Sequence, residues 1–594
     1  MEKEFEELLE STLRIKEEGI DNKVMSLSEA IRENIKPGMT LHGGATHLVP
    51  YALCYEIIRQ FWGKRPEFTF LTLGAINHLM IMIHGSLVKK IIATYYGLIY
   101  PTPGPDAVFQ KAYSEKKVEF EDWSILTFTQ RLMAGALGLE FFPTKSLKGS
   151  GMEKENANSF LTISDPFGSG REVGLVKAFK PDISLYHGWA ADKEGNTILT
   201  PPYSENLWGA YASKGGVIVS VEKIVSTSFI RQHSHLVKIP GSIVKAVVEV
   251  PFGAHPGGIS NTGLREFEHY AEDYDFLVDF RKQAENEKTF SDWIKEWVLD
   301  CPNHKDYTKK LGEKRVLHLK GRAHQDAWRY ELNSFELSLK KEYNPLEMMT
   351  VVAGRRIREK IKENKYRYLL AGIGNSNLAA WFAYYTLKEE GETVELIAEL
   401  GFYGYEPRPG DPFIFNFANI PTCKMTTDIT NIIGVLVGGQ GERCIGSLSA
   451  GQVDKYGNFN STKVGEMLYL VGSGGANDVA CCAQEVALVI PQSKMRFLDT
   501  LPYVTGIGNN VSILVSHLGV FEKIEGELTL SGYFPSSKFS SPKEIIDNIK
   551  SKCSWELKVS KNLEEVPPPT EEELRLLRLF DPRQSFIGKL TPFD

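Results

Sequence analysis

Short apolar runs alternate with helical patterns along the chain, and this alternation predicts open, mostly parallel α/β sheets. Two landmarks recur in the same order. The first is a glycine turn between a strand and a helix, in GMTLHGGATHLVPYALCYEIIRQF from Gly38 and in YRYLLAGIGNSNLAAWFAYYTLKEE from Tyr366. The second is an Asp-Lys-x-Gly-Asn turn, which begins at Asp192 and again at Asp454. The repeated order predicts two related α/β domains.

The two halves differ in length, because Gly43 lies 149 residues before Asp192 whereas Gly372 lies 82 before Asp454. We therefore expect an insertion in the first half. The stretch 290–345 is charged and aromatic and indicates a connecting segment with some helix. We predict a first domain 1–320, a linker 321–345, a second domain 346–562 and a tail 563–594. In the tail, three prolines precede a helix that Thr570 and Glu573 begin as a capping box, and we expect this helix to dock on the body.

Composition indicates a soluble globular enzyme, with 594 residues, 42% hydrophobic and 24% charged positions. A net charge of -7 without a long basic stripe argues against nucleic acid as a partner. Neither a signal peptide nor a run of roughly 18 apolar residues is visible, so we expect a cytoplasmic protein that does not bind membranes. Seven scattered cysteines favour reduced thiols. Cys301 and His304 have CxxH spacing, but no second pair follows, so we expect no metal.

Two glycine loops are candidate ligand sites. Gly472, Gly474 and Gly475 precede a helix that we expect to begin near Asn477 or Asp478. Such a loop can hold an anion or an oxyanion with backbone N–H groups, or it can be a tight turn without a ligand.

The second loop, Gly372-Ile-Gly374-Asn375, begins like a dinucleotide fingerprint. Asn377 stands where the third glycine should be, which argues against NAD. GxxxxGK[ST] and GxSxG motifs are absent, so neither a P-loop nor a nucleophile elbow is expected.

Glu399 ends the apolar run VELIAEL and is followed by a turn rich in glycine and proline. An arbitrary strand-end glutamate is usually a solvated carboxylate or the partner of a basic group such as Arg408. Ligands of open α/β sheets, however, gather beyond the carboxyl ends of the strands. Glu399 is therefore a candidate catalytic residue.

Taken together, these motifs resemble the class I coenzyme A transferases, most closely the glutaconate type with its two subunits fused. In the first half the resemblance rests on IKPGMTLHGGATHLVPYALCYEIIRQ, FEDWSILTFTQRLMAGALGLEFFPTKSLKGSG, DKEGN and VEVPFGAHPGG. In the second half it rests on GIGNSNLAAWFA, AELGFYGYEPRPGDP, GQVDKYGNFNST, GSGGANDVA and PPTEEELRLLRLFDP. The motifs span nearly the whole chain, and the ordered set is specific although no single member is.

The resemblance implies that Glu399 is the nucleophile and carries a glutamyl-CoA thioester during CoA transfer. Glu399-Leu400-Gly401 occupies the place of the family's Glu-Ser-Gly, so Leu400 departs from the pattern. A second departure is Ala45, which follows Gly43 and Gly44 where the family usually has an aromatic residue. Both departures bear on the choice of substrate.

The resemblance also suggests how the other candidates would be used. Gly43 and Gly44 of the first half would form a wall for the acyl group, and CoA, a substrate, would lie in the cleft between the halves. Neither a permanently bound cofactor nor a metal is implied, and we expect a homodimer or homotetramer. The second-half candidates for binding the oxyanion or CoA are Gly474, Gly475, Ser473, Gly372, Gly374 and Asn375.

Two other functions remain open. Relatives on the same scaffold include acyl-CoA hydrolases, some of them ring-opening, and decarboxylases; if Glu399 were idle, Glu119 or Glu121 would become acid/base candidates. A metabolite-binding protein of the same fold is the other alternative. Arg131, His47 and Lys148 could meet a second carboxylate of an acyl group, but a structural or surface role is the more common use of such residues.

Overall fold

The computed structural model describes residues 2–45, 48–439, 443–588 and 590. Two large sheets dominate it, one in each half of the chain. The first half contains these strands: β1 (Thr40–Gly43), β2 (Phe68–Leu71), β3 (Gly74–Ala75), β4 (Val88–Ala93), β5 (Tyr95–Tyr96), β6 (Glu119–Asp122), β7 (Phe141–Thr144), β8 (Phe160–Ser164), β9 (Glu172–Lys177), β10 (Ile183–Ala191), β11 (Thr197–Ile198), β12 (Val217–Ile224), β13 (Val237–Ile239) and β14 (Val244–Glu249). The second half contains these: β15 (Tyr368–Ala371), β16 (Glu395–Ala398), β17 (Phe402–Tyr403), β18 (Met425–Thr426), β19 (Cys444–Leu448), β20 (Gln452–Val453), β21 (Phe459–Asn460), β22 (Lys463–Val464), β23 (Leu468–Tyr469), β24 (Glu485–Val489), β25 (Val511–Val515), β26 (Gly519–Ile524), β27 (Glu527–Tyr533) and β28 (Val559–Glu565).

Helices cover the sheets and connect the halves. The α-helices are α1 (Glu2–Ser11), α2 (Leu27–Asn34), α3 (Tyr51–Phe61), α4 (Asn77–His84), α5 (Ala107–Ser114), α6 (Ile125–Leu137), α7 (Gly151–Glu155), α8 (Asn206–Ala212), α9 (Thr227–Gln232), α10 (Tyr274–Ala284), α11 (Glu287–Ile294), α12 (His304–Leu311), α13 (Glu313–Arg322), α14 (Ala327–Asn333), α15 (Pro345–Asn364), α16 (Asn375–Glu389), α17 (Ala476–Cys482), α18 (Pro542–Ser551) and α19 (Glu571–Phe580). Short 3-10 segments cover Ser234–Leu236, Gly241–Ile243 and Phe417–Thr422, and π-helical segments cover Lys295–Leu299 and Thr430–Gly439. Among the described residues, no helix is both long enough and apolar enough to cross a membrane.

The two sheets share one topology. In the first, β2, β1, β10, β12 and β14 are consecutive parallel strands, with β4 and β6 continuing beyond β2. In the second, β16, β15, β19, β24 and β25 repeat this parallel order. Central strands such as β10, buried along its whole length, read as continuous apolar runs because helices cover both faces. The predicted pair of related, mostly parallel α/β domains is confirmed.

The two Asp-Lys-x-Gly-Asn turns have the same hydrogen bonds. Asp192 accepts from the backbone N–H of Asn196 at 2.9 Å, and Asp454 accepts from that of Asn458 at 3.0 Å. The side-chain amide of each asparagine donates to the other oxygen of the same carboxylate. This repeated network supports the internal relationship predicted from the spacing.

The extra length of the first half includes a separate antiparallel sheet in the order β7-β9-β8. The connecting segment 290–345 is largely helical: it contains the end of α11, the π-helical segment Lys295–Leu299 and helices α12 to α14. β28 adds a parallel strand beside β27 and runs across position 562, so the last part of the chain joins the second sheet before its helix begins.

The tail helix α19 docks on the second half. Its predicted capping box is confirmed, because the Thr570 side chain accepts from the Glu573 backbone N–H and the Glu573 side chain accepts from the Thr570 backbone N–H. Arg578 is buried and donates to Glu347 of α15 at 2.6 Å. The predicted docking of the tail is thereby confirmed.

The carboxyl ends of the two sheets face each other. Leu71 and Ile92 of the first half belong to the same buried cluster as Leu370, Ile397 and Ile429 of the second. The crevice between these strand ends is therefore built from both halves, and it is the place where open α/β sheets bind ligands.

Candidate active site

Glu399 is the first residue after β16. In the parallel pair of β15 and β16, Leu370 lies opposite Ile397, so Glu399 and the Gly372 turn leave the same sheet edge on neighbouring strands. The sequence produces this arrangement because the buried run ends at Ala398 and Gly401, with a φ of 128°, turns the chain back. The partly exposed Glu399 side chain consequently stands at the carboxyl end of the sheet.

The carboxylate of Glu399 lies against the glycine loop of the second half. The backbone amide of Gly475 lies close enough to this carboxylate to lower its pKa. A Cβ atom on Gly475 would lie 2.2 Å from Oε2 of Glu399 and 3.0 Å from Cδ1 of Ile125, so only glycine leaves room for this approach. Because Ile125 belongs to the first half, Glu399 points into the crevice between the halves.

The surroundings of Glu399 change its acidity. Burial is the largest cause and the negative charge of Asp478 the second, and together they raise the pKa of Glu399 to about 7 in spite of the opposing effect of the Gly475 backbone amide. No basic side chain of the described residues forms an ion pair with Glu399; the Arg408 guanidinium instead lies 5.6 Å from the Trp328 ring centre. A carboxylate in this setting is more basic than one in water and carries no compensating cation.

Asp478 joins the two halves beside Glu399. This fully buried residue of α17 accepts from Oγ of Ser124 at 2.6 Å and from the backbone N–H of Leu126 at 2.9 Å. The Ile125 N–H donates to the carbonyl oxygen of Gly474 at 3.1 Å. The first N–H groups of α6, which have no partner within the helix, are thus satisfied by the other half of the chain. Burial raises the pKa of Asp478 to about 6.

Sequence patterns did not identify Asp478 or Ser124 as parts of the site. The two residues are 354 positions apart, and neither stands in a local motif that predicts the contact. An acidic residue in the first turn of a helix is common, because it favours the helix dipole without any ligand. The only available signal was that both residues lie in motifs that carry the resemblance.

The glycine loop before α17 follows the strand ends of the first half. The Gly474 N–H donates to the carbonyl oxygen of Thr94, after β4, at 2.7 Å. Oγ of Ser473 is buried without a hydrogen-bond partner among the described residues, and so are both carboxylate oxygens of Asp122 at the end of β6. Gly475, in contrast, lies directly against the Glu399 carboxylate. The structure therefore engages the N–H of Gly474 within the protein, and its oxyanion role stays a prediction.

The Gly372 turn forms the neighbouring wall. The Gly372 N–H donates to the carbonyl oxygen of Ser447 at 2.8 Å, and a Cβ on Gly372 would lie 2.5 Å from that oxygen. Gly374 has a φ of 90° and precedes α16, which begins at Asn375. Oδ1 of Asn375 is buried and has no hydrogen-bond partner in the described part of the chain. The predicted strand, glycine turn and helix are present, and their edge adjoins Glu399.

Gly43 and Gly44 end β1 in the first half. The Gly44 N–H donates to Leu185 at 3.0 Å, and a Cβ on Gly44 would lie 2.8 Å from the carbonyl oxygen of Leu48. These glycines serve close packing within their own half, and the described residues show no contact between them and Glu399. Ala45 is buried in the cluster that the two halves share. His47 lies outside the described residues.

The remaining candidates take part in ion pairs. Arg131 stacks 4.2 Å from the Trp123 ring centre and donates to Glu121 at 3.1 Å. Lys90 pairs with both Glu121, at 2.6 Å, and Glu119, at 2.8 Å. Lys148 pairs with Glu172 on the surface. These contacts give each group a structural partner.

Comparison with known proteins identifies relatives of both halves. A model of the coenzyme A transferase family matches residues 24–250. The A-type subunit of glutaconate CoA-transferase from Acidaminococcus fermentans is 30% identical over 315 residues, which are 50% of this chain and 95% of that protein. The B-type subunit of 3-oxoadipate CoA-transferase from Pseudomonas knackmussii is 28% identical over 262 residues, 41% of this chain and 94% of that protein.

Among solved structures, an acyl-CoA transferase from E. coli O157:H7, crystallised as a thioester complex with CoA, covers nearly the whole chain. The match includes 97% of this chain and 98% of that one, with a TM-score of 0.62 and 17% identity, and it supports the fold. The two types of transferase subunit match different parts of this polypeptide. The chain belongs to the coenzyme A transferase family and is a CoA-transferase in which the counterparts of two separate subunits are fused.

Proposed function

We propose that this enzyme transfers CoA between an acyl-CoA and a carboxylic acid through a glutamyl-CoA thioester on Glu399. The observation that carries the proposal is the position of the Glu399 carboxylate, which lies against Gly475 of its own half at the point where Ile125 of the other half also approaches that glycine. A carboxylate needs no base to become a nucleophile once it is ionised. Its raised pKa makes the ionised form more basic, which favours attack on a thioester.

The reaction is a sequence of four substitutions. An oxygen of Glu399 attacks the acyl carbonyl carbon, the C–S bond breaks, and CoA thiolate leaves a mixed anhydride. The thiolate then attacks Cδ of Glu399 and expels the first acid as a carboxylate, which leaves glutamyl-CoA. The second acid attacks Cδ with its carboxylate and releases the thiolate, forming a new anhydride. The thiolate finally attacks the new acyl carbon, and Glu399 is regenerated.

Each substitution passes through a tetrahedral oxyanion, which backbone N–H groups stabilise. We assign this role first to Gly475, whose backbone lies directly against the Glu399 carboxylate. Gly474 would join it on exchanging its Thr94 partner, and Ser473 would contact CoA. Gly372, Gly374 and the buried, unsatisfied amide of Asn375 would line the opposite wall. Gly43 and Gly44 would shape the acyl side.

The presence of Leu400 beside Glu399 favours a nonpolar or bulky acyl group as the substrate. Leu400 is partly buried and packs against the hydrophobic clusters on both sides of the second sheet, where the glutaconate type has a polar serine. The relatives named above act on dicarboxylic acids, glutaconate and 3-oxoadipate. Transfer rates of the wild type and of Leu400→Ser with matched monocarboxylic and dicarboxylic acyl-CoAs test this inference. Equal rates with both substrates in both enzymes would refute it.

Trapping of the intermediate tests the mechanism. The enzyme is incubated with acyl-CoA but without an acceptor acid, and its peptides are weighed by mass spectrometry. We expect CoA bound to the peptide that contains Glu399 in the wild type and in Glu395→Gln, a control at the other end of β16, but not in Glu399→Gln. An adduct elsewhere, or transfer at full rate in Glu399→Gln, would refute the proposal.

The same incubation separates the rival functions. Steady loss of thioester to water without an acceptor would identify a hydrolase, and release of carbon dioxide would identify a decarboxylase. Binding without turnover would identify a metabolite-binding protein. We also infer a homodimer or homotetramer, in line with the multi-subunit relatives, and sedimentation equilibrium measures it.

A further inference from the structure

The first turn of α6 depends on the opposite half of the chain. Ser124 is its N-cap, and its Oγ donates to Asp478 at 2.6 Å while the Leu126 N–H donates to the other carboxylate oxygen at 2.9 Å. All three groups are buried. Unsatisfied N–H groups at a buried helix end are costly, so this carboxylate fixes where α6 begins relative to the second half.

The same carboxylate is close to the reacting group. Gly475, which lies against the Glu399 carboxylate, precedes Asp478 by three residues, and residues at this spacing lie on one face of a helix. Ile125, the first residue of α6, stands 3.0 Å from the Cβ position of Gly475. The N-terminus of α6, the glycine loop and Glu399 are therefore joined in one contiguous set of contacts, with Asp478 at its centre.

We propose that Asp478 is a positioning residue for CoA transfer: it holds α6 of the first half against the glycine loop and places a second carboxylate beside Glu399. This inference rests on the proposed role of Glu399. The two hydrogen bonds from Ser124 and Leu126 to Asp478, which we call the clamp, keep Ile125 and Gly475 in place beside Glu399. The negative charge of Asp478 opposes ionisation of Glu399 and so raises the pKa of Glu399. It also offsets the positive end of the α6 dipole, which by itself would lower the pKa of Glu399 and make its carboxylate less basic.

Few other titratable groups face this pair. Cys481 and Cys482 of α17 lie near Asp478, and burial raises the pKa of both thiols far enough to keep them protonated at neutral pH, with that of Cys482 about 12. Lys145 is near enough to Cys482 to affect the pKa of that thiol, and its ammonium group donates to the carbonyl oxygen of Gly438 at 2.9 Å. Glu399 and Asp478 are consequently the groups of this cluster that change charge near neutral pH.

The test compares three variants in the trapping reaction from pH 5 to 9. Asp478→Asn removes the charge and replaces two charge-assisted hydrogen bonds, to Ser124 and to the Leu126 N–H, with weaker neutral ones. Asp106→Asn is the matched control, since Asp106 also is a buried N-cap carboxylate, accepting from the first turn of α5 at 3.0 Å, and its pKa is also raised to about 6. Ser124→Ala loosens the clamp but keeps the charge.

Asp478→Asn should move the midpoint of the pH profile to lower pH by about half a unit or more. It should also lower the plateau rate by about tenfold or more, because small misplacements of reacting groups cost large factors. Asp106→Asn should leave the midpoint unchanged and the plateau rate within twofold of the wild-type rate. Ser124→Ala should lower the plateau without moving the midpoint to lower pH, a pattern that still reports on the clamp if Asp478→Asn does not fold.

Two results overturn the inference. One is a midpoint in Asp478→Asn that coincides with those of the wild type and Asp106→Asn; the other is a plateau in Ser124→Ala equal to that of the wild type. Failure of the proposed function itself looks different, because wild-type enzyme would then carry no CoA at position 399 at any pH, and that outcome overturns both.

Discussion

Replacing Glu399 with glutamine should stabilise the folded protein, and the gain should grow with pH. In the folded state the pKa of Glu399 is raised from 4.5 to about 7, so this carboxyl group holds its proton more tightly than in the unfolded chain. Its contribution to stability is fully present below the unfolded pKa and is lost as pH rises through about 7. Glutamine does not titrate and escapes this loss.

The size of the effect follows from the two pKa values. A change from 4.5 to about 7 at about 1.4 kcal/mol per pH unit amounts to about 3 kcal/mol once Glu399 is fully ionised. Glu399 keeps some contact with solvent, which reduces the penalty, so the expected range is about 1 to 3 kcal/mol. Most of the change falls between pH 5 and 7.5.

Urea titrations of the wild type and Glu399→Gln, followed by fluorescence at half-unit steps from pH 4.5 to 8.5, measure the difference in free energy of unfolding. The difference should be smallest at the acid end and reach its plateau above pH 7.5. A difference that is independent of pH would show that Glu399 titrates as an ordinary glutamate, and the electrostatic account of the site would then be wrong.

Three further outcomes are expected. Trapping of CoA on Glu399 should rise with pH through a midpoint near 7, because only the ionised carboxylate attacks; rapid-quench mass spectrometry measures it, and a rate flat down to pH 5 would contradict it. Gly475→Ala should lower transfer about 100-fold or more by displacing Glu399, whereas Gly321→Ala, where a Cβ meets nothing within 4 Å, should not; equal activities would exclude a steric role for the loop. Arg578→Met should lower the free energy of unfolding by about 3 kcal/mol, because it leaves the buried carboxylate of Glu347 without its partner. Arg575→Met, on the exposed face of the same helix, should change the free energy of unfolding by less than about 1 kcal/mol. Similar urea midpoints for the two variants would refute docking of the tail through the ion pair of Arg578 and Glu347.

The fold could be predicted because its determinants are local. The glycine turns at Gly43 and Gly372, the two Asp-Lys-x-Gly-Asn turns and the capping box of the tail each lie within a few residues of sequence, and each forms as predicted. The place of Glu399 at a strand end was equally local. Turns and caps whose hydrogen bonds join residues close in sequence can be recognised from the sequence itself.

The charge environment of Glu399 could not be predicted from the sequence in this way. Asp478 acquires its role only when Ser124, 354 residues away, is brought to it, and Gly474 loses its free N–H only because Thr94 of the other half lies beside it. Contacts of this kind depend on how two domains meet, which neither hydrophobic period nor turn chemistry encodes. The sequence therefore indicated Glu399 as a candidate nucleophile but not the contacts that raise the pKa of its carboxyl group.

The helical connection from α12 to α14 ties the half that carries Glu399 to the half that supplies α6. Two independent polypeptides must find each other before such a shared crevice exists, and they part again on dilution. A covalent tether keeps the local concentration of the second half in the millimolar range whatever the amount of enzyme. Each polypeptide is thus made with one complete crevice in fixed one-to-one stoichiometry, and its specific activity should hold at the trace concentrations at which a two-piece assembly falls apart.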